Sequence, residues 1–217
     1  MTLRLDLYFS FRSPYSYLLL PPLEAAMARY DFAVDLRPVY PLAIRTPDFF
    51  TRTDRLFAPY LVRDTVRVAQ MAGIPYAWPK PDPVVMDMAT LSIPKEQPYI
   101  HRLTRLGVAA SETGDGFAFV RKLAHVIWSG ETRDWREGDH LARAAAAAGF
   151  DLAALDRAIE ADPRRYESVI DANQKAQRAA GHWGVPLMVF ENEPFFGQDR
   201  LDQVLWRMRQ RGLAERR

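Results

Sequence analysis

Hydrophobic residues alternate at the two ends of this 217-residue chain and recur at helical spacing through most of what lies between. That change of period constrains the fold more than any other feature. Residues 3–9 alternate apolar and polar side chains and then turn wholly apolar, as a strand entering a core does. Residues 14–30 read as a helix, and 32–39 alternate again through Phe32, Val34 and Leu36. After Gly181 the period returns to two. Residues 187–191 and 194–196 read as a hairpin turning at Glu191-Asn192-Glu193, and Asp199 caps a last helix to about residue 211. The order is β-α-β, a long helical stretch, then β-β-α. It predicts an α/β fold with no linker between parts. Residues 1–40 and 182–217 form one discontinuous domain, a four-stranded sheet with helices on it, and residues 41–181 form a helical insertion packed outside.

Within the insertion, 56–72 is helical and stops at Gly73-Ile74-Pro75. Residues 78–98 are proline-rich and read as loop, with a short helix near 86–91. Helices follow at 99–111, 116–129 and 141–148, the last ended by Gly149. Asp151 caps another to about 161, and Asp162-Pro163 opens a long one to 180, ended by Gly181. In the first helix, Pro14 suits the opening turn, where its missing N–H had no partner anyway. Pro21-Pro22 is expected to kink or interrupt it.

Composition narrows the chemistry. Apolar residues make up 48% and charged residues 26%, enough for a core without staples. Net charge is +2 with no block of one sign, so no nucleic-acid partner is expected, and the arginines from Arg207 to Arg217 read as a solvated end. The absence of cysteine excludes disulfides, thiolate metal sites and redox chemistry by the protein's own thiols. Residues 3–11 are too short for a secretory signal and include Asp6; residues 17–23 are broken by Pro21-Pro22. A soluble cytoplasmic protein without membrane contact is expected. The four histidines show no metal spacing, and no glycine-rich phosphate loop follows a strand.

Three segments carry chemistry. Ser13-Pro14 stands where the first strand meets the first helix, so Ser13 is an ordinary N-cap and also a hydroxyl at a cluster of unpaired N–H groups that favours negative charge. Lowering a bound thiol from about 8.5 to about 6.5 needs roughly 2.7 kcal/mol. A helix end supplies about 0.3–1 kcal/mol, and one hydrogen bond to a charged group about 1.5–3. A donated hydroxyl therefore outweighs the dipole. With no base in its segment, Ser13 reads as a donor to another molecule's sulfur rather than as a nucleophile. Val185-Pro186 opens a strand; most such bonds are trans, and a cis bond would turn the Val185 N–H and C=O toward an extended peptide. In 196–200, Phe196 and Gly197 precede Gln198 and a second helix start, a seat for a carboxylate. There Asp199 is either a cap or a partner for an ammonium group, and Arg200 makes a structural salt bridge. Arg45, Arg52 and Arg55 enter the insertion, where arginines suit carboxylates.

Taken together, residues 11–18 (Phe-Arg-Ser-Pro-Tyr-Ser-Tyr-Leu), Gly184-Val185-Pro186, residues 196–200 and residues 60–70 leading to Gly73-Ile74-Pro75 resemble the 2-hydroxychromene-2-carboxylate isomerase family. That family is related to kappa-class glutathione transferases and to the DsbA branch of the thioredoxin fold. The resemblance runs nearly end to end. It implies a thioredoxin-like sheet with serine in place of the reactive cysteine, a homodimer, and glutathione as cofactor. Ser13 would hydrogen-bond the glutathione sulfur; Val185, before a cis Pro186, would pair with the cysteinyl backbone; Phe196, Gly197, Gln198 and Asp199 would hold the γ-glutamyl end. Arg45 and Thr51-Arg52 fall where isomerases bind an aromatic carboxylate substrate, which would be isomerised through a transient glutathione adduct. The alternatives are a kappa-like transferase or peroxidase and a non-catalytic binding module. Two positions depart from the pattern: Phe57 replaces a lysine, and Asp82 falls near a substrate-contacting tyrosine, where an acid disfavours an anionic substrate.

Overall fold

The computed structural model describes residues 2–87, 90 and 92–216. Strand β1 (Leu3–Phe9) pairs in parallel with β2 (Phe32–Pro38) on one side and antiparallel with β3 (Leu187–Phe190) on the other. Strand β4 (Glu193–Phe196) completes the order β2-β1-β3-β4. The strands from the two ends of the chain thus meet at β1–β3. Register explains the faces: Leu7 stands opposite Met188 and Tyr8 opposite Leu187. Leu5, Leu7, Phe9, Met188 and Phe190 point into the main core, while Tyr8, Leu187 and Val189 join Val39 in a smaller cluster on the other face. The β3–β4 turn places both Glu191 (φ 49°) and Asn192 (φ 66°) in the left-handed region, the conformation a two-residue hairpin of native twist requires.

Helix α1 (Pro14–Arg29) returns from β1 to β2. The expected interruption at Pro21-Pro22 does not occur; α1 is one helix of 16 residues through both prolines. Leu18, Leu19, Leu20 and Leu23 are buried around the pair while Pro22 faces solvent, so core packing offsets two missing donors. Two one-turn helices not foreseen from the sequence, α2 (Leu42–Arg45) and α3 (Phe49–Arg52), lead to α4 (Phe57–Ala72), which Gly73 ends in the left-handed conformation. Then come α5 (Ile100–Thr113), α6 (Gly116–Trp128), α7 (His140–Ala147), α8 (Leu152–Ala161) and α9 (Pro163–Ala179), close to the spans read from periodicity. Asp151 and Asp162 cap α8 and α9 through their side chains, as expected. The short helix expected near 86–91 falls on a stretch that includes residues outside the described set.

At the chain's end the expected cap fails. A 3-10 turn (Gln198–Arg200) precedes α10 (Leu201–Arg209), neither has a side-chain cap, and the Asp199 carboxylate turns to Arg200 at 2.6 Å. Among the described residues no helix is long and apolar enough to cross a membrane.

Helix α6 holds the end of β1 in place. Trp128, fully buried, stacks between Tyr17 and Tyr76 and donates its indole N–H to the Phe11 carbonyl at 2.8 Å, two residues before Ser13. Trp128→Phe keeps most of the ring but leaves that carbonyl unpaired. It should cost about 1–3 kcal/mol in a urea titration. An unchanged midpoint would show that Trp128 does not anchor this junction.

Candidate active site

Ser13 is 9% exposed and is the N-cap of α1. Its Oγ accepts the Ser16 N–H at 3.1 Å and donates to the Val185 carbonyl at 3.3 Å. One hydroxyl therefore joins a helix mouth to a loop 172 residues away in sequence. The Val185–Pro186 bond is cis. Beyond it, the Pro186 carbonyl accepts the Gly197 N–H at 3.0 Å, which brings the 196–199 segment alongside.

The loop before the proline is fixed group by group. The Trp183 carbonyl accepts from Arg45 Nη2 at 2.9 Å, and the Gly184 carbonyl from Gln177 Nε2 at 2.6 Å. The Gly184 N–H donates to His182 Nδ1 at 2.9 Å. Among the described residues, the Val185 N–H takes no hydrogen-bond partner. It is a backbone donor beside the Ser13 hydroxyl, available to an extended peptide ligand.

Aromatic rings close a circuit around these groups. Phe196 stacks on His182 at 3.9 Å between centroids, and His182 on Trp183 at 5.3 Å. Trp183 meets Phe49 of α3 at 5.9 Å, and Phe49 meets both Phe50 and Phe57 edge to face. The Phe50 ring lies under the Arg12 guanidinium at 5.4 Å, which returns the circuit to the residue before Ser13. Gly184 is required here: a Cβ would collide with the Phe196 and His182 rings.

Arg12 is not a free cation. It lies between Phe50 and Trp78 and donates to Asp82 from Nε and Nη2 at 3.1–3.3 Å. Asp82 also accepts from the Trp78 indole and the Val84 N–H. The acid that looks hostile to an anionic ligand in the sequence is neutralised by the residue next to Ser13. Arg45 has no such partner: among the described residues no carboxylate pairs with it. Burial, assisted by the charge of Arg178, lowers it to about 10, so it stays protonated at neutral pH.

The residues singled out from the sequence divide in two. Ser13, Val185, Pro186, Phe196 and Gly197 come together, with Gln198 and Asp199 following in the 3-10 turn. Arg45 is tied to Gln177 and Trp183, Thr51 Oγ1 to the Asp48 carbonyl, and the exposed Arg52 to the Asp48 carboxylate. Neither Thr51 nor Arg52 contacts Ser13; their helix reaches the circuit through Phe49 and Phe50. Sequence reasoning missed Arg12, Gln177, His182 and Phe49. His182 and Trp183 were findable from their place beside Val185-Pro186. Gln177 lies on the buried stripe of α9 with Tyr166, Ile170 and Asn173, where a polar residue on an apolar face is itself a signal.

The profile of the DSBA-like thioredoxin domain matches residues 4–209. The chain belongs to that family. It is 28% identical over 206 residues to a 2-hydroxychromene-2-carboxylate isomerase of Sphingobium xenophagum, covering 93% of this chain and 96% of the relative. A solved 2-hydroxychromene-2-carboxylate isomerase superposes with a TM-score of 0.67 at 21% identity, over 96% of this chain and 95% of that one. The cytosolic disulfide reductase DsbM of Pseudomonas aeruginosa, in its structure with GSH, superposes with a TM-score of 0.62 at 17% identity, over 96% and 100% of the two chains. This family member has the thioredoxin-like fold expected from the order of its elements, with a serine at the mouth of its first helix.

Burial holds His182 below the ordinary histidine range. Its neutral form is favoured in the folded chain, so its contribution to stability is complete above about 6.5 and is lost as pH falls through the depressed folded value. His182→Phe keeps a ring in the stack but removes the acceptor for Gly184. The variant should be less stable at neutral pH and lose less of its remaining stability than wild type between about pH 7 and about pH 5, in urea titrations at each pH. Parallel slopes would show that His182 stays neutral without regard to this hydrogen bond.

Proposed function

We propose that the protein is a glutathione-dependent isomerase of an aromatic carboxylate of the 2-hydroxychromene-2-carboxylate type. The observation that carries this reading is the Ser13 hydroxyl beside the unpaired Val185 N–H, at a helix mouth in a chain with no cysteine. The relative at 28% identity supports the reaction class. The residues fit the tripeptide: an N–H for its cysteinyl backbone at Val185, a donor for its sulfur at Ser13, and Gln198 and Asp199 after Gly197 for the γ-glutamyl end.

Bound glutathione supplies a thiolate that adds to the ring carbon reversibly and leaves again, so that free thiol is not consumed. The chain's own residues hold that thiolate and shape the space around it. The Ser13 Oγ accepts the Ser16 N–H, which turns its hydrogen away from the helix toward Val185. That outward bond, at 3.3 Å, is long and is easily given up to a thiolate. Trp183, Phe49 and Phe57 offer faces and edges to a planar substrate. Thr51 and Arg52, on the helix that carries Phe49, stand on the side from which a substrate carboxylate would be met. We place the activity in the cytoplasm, where thiols stay reduced.

Ser13→Gly tests the central claim, because glycine is nearly as good an N-cap as serine while lacking a donor. The thiolate absorbance of bound glutathione should titrate about 1–2 units higher in the variant, with turnover reduced about ten- to hundredfold and stability nearly unchanged. Equal titration in both proteins would remove Ser13 from the chemistry. A fall in free thiol that matches product formation would replace the isomerase with a glutathione transferase.

The resemblance also implies a homodimer, and α4 supports one. It buries only Thr65 and Ala69, while Leu56 before it and Phe57, Tyr60, Val62, Val66 and Met71 on it are exposed. Wild-type protein should sediment at about twice 24.9 kDa, and the double variant Val62→Lys, Val66→Lys as a monomer. A monomeric wild type would refute the dimer.

A further inference from the structure

We propose that Gln177 and Arg45 form a positioning couple that aims the Val185 N–H at the ligand, and that Arg45 acts through the backbone rather than by touching substrate. The proposal deepens the reading above and rests on it for the ligand's identity.

Gln177 is wholly buried, three turns along the inner stripe of α9 from Tyr166. Its amide is used at both ends: Oε1 accepts from Arg45 Nη1 at 3.1 Å, and Nε2 donates to the Gly184 carbonyl at 2.6 Å. The second terminal nitrogen of Arg45 goes to the adjacent carbonyl, Trp183, at 2.9 Å. Two side chains from α2 and α9 thus hold two consecutive carbonyls, and each holds the other. His182 fixes the intervening N–H and Ser13 the next carbonyl. With Trp183 O, Gly184 N, Gly184 O and Val185 O all assigned, the orientation of the Val185 N–H is set before any ligand arrives.

This arrangement carries a cost that packing alone does not explain. The Arg45 Nε is buried with no partner, and the guanidinium meets no carboxylate among the described residues. A buried unsatisfied donor and an uncompensated charge destabilise a fold. A neutral side chain of the same length would serve a merely structural role better. The guanidinium is instead the side chain that reaches a carbonyl and a buried amide at once while leaving positive charge behind an anion-binding loop.

The test compares wild type with Gln177→Glu and Gln177→Leu by two readouts. Glutamate keeps an acceptor for Arg45 but places an oxygen against the Gly184 carbonyl; leucine keeps the volume and loses both bonds. The first readout is the backbone amide spectrum of the ligand-free proteins. We expect shifts at Gly184 and Val185, and resonances from the rest of the sheet unmoved. The second is the glutathione dissociation constant, expected to rise about tenfold in both variants. Should Gln177→Leu fail to fold, Arg45→Lys takes its place, since lysine keeps the charge but cannot span both acceptors. Unmoved Gly184 and Val185 amides together with unchanged affinity would overturn the couple. Wild type that binds no glutathione, with amides that still move in the variants, would overturn the proposed function and leave the couple standing.

Discussion

The hydrogen bond from Ser13 to the Val185 carbonyl is the contact on which the rest of the site depends. It is long, at 3.3 Å, and by itself worth little. What matters is that it can exist at all. The strand that delivers Ser13 and the loop that delivers Val185 come from opposite ends of the chain and meet because β1 pairs with β3 in one register. A slip of one residue would turn Leu7 and Met188 to the opposite face and carry the helix mouth out of reach of the proline loop. Hydrophobic burial on the two faces of the sheet, and not the polar contacts of the site, therefore sets the geometry of the chemistry.

The helical segment between the two halves does more than cover the sheet. From α6, Trp128 holds the Phe11 carbonyl; from α9, Asn173 holds the Pro38 carbonyl and Gln177 the Gly184 carbonyl. Each of these is a side chain reaching past the end of a strand or into a loop, where ladder hydrogen bonds have stopped and buried carbonyls need partners. Strand ends next to a site are costly to bury for this reason. Here the cost is offset by polar atoms brought from elsewhere in the chain. The same economy explains Arg12: its charge is absorbed by Asp82, whose remaining acceptor capacity goes to Trp78 and Val84, so the loop after α4 is secured to the residue beside Ser13.

The fold was largely legible in the sequence because its signals are local. Alternation marked β1 to β4, and the Asp151 and Asp162 caps marked α8 and α9 within a residue. The sites of failure share a cause. Pro21-Pro22 obeys its local rule nowhere in α1, because four buried leucines around it override a propensity. Asp199 looked like a cap, but the chain enters α10 through a 3-10 turn and the carboxylate finds Arg200. Ser13 and Val185 could be named from short motifs, whereas Arg12–Asp82 and Arg45–Gln177 join residues 70 and 132 positions apart, a separation that no periodicity reports.

Charge around the helix mouth has a definite sign. Asp82 is neutralised by Arg12 and Asp199 is paired with Arg200, so neither acid stands unpaired near the mouth. Arg45 remains protonated at neutral pH with no carboxylate to meet it, and the first turn of α1 contains no acidic residue to oppose the helix end. The fixed charges and dipoles thus leave a positive potential where Ser13 offers its hydrogen. A neutral thiol gains little from that potential and a thiolate gains a great deal, because the preference is for charge rather than for sulfur. A protein that has given up its own cysteine keeps, in this way, the electrostatics that a cysteine at the same position would have used.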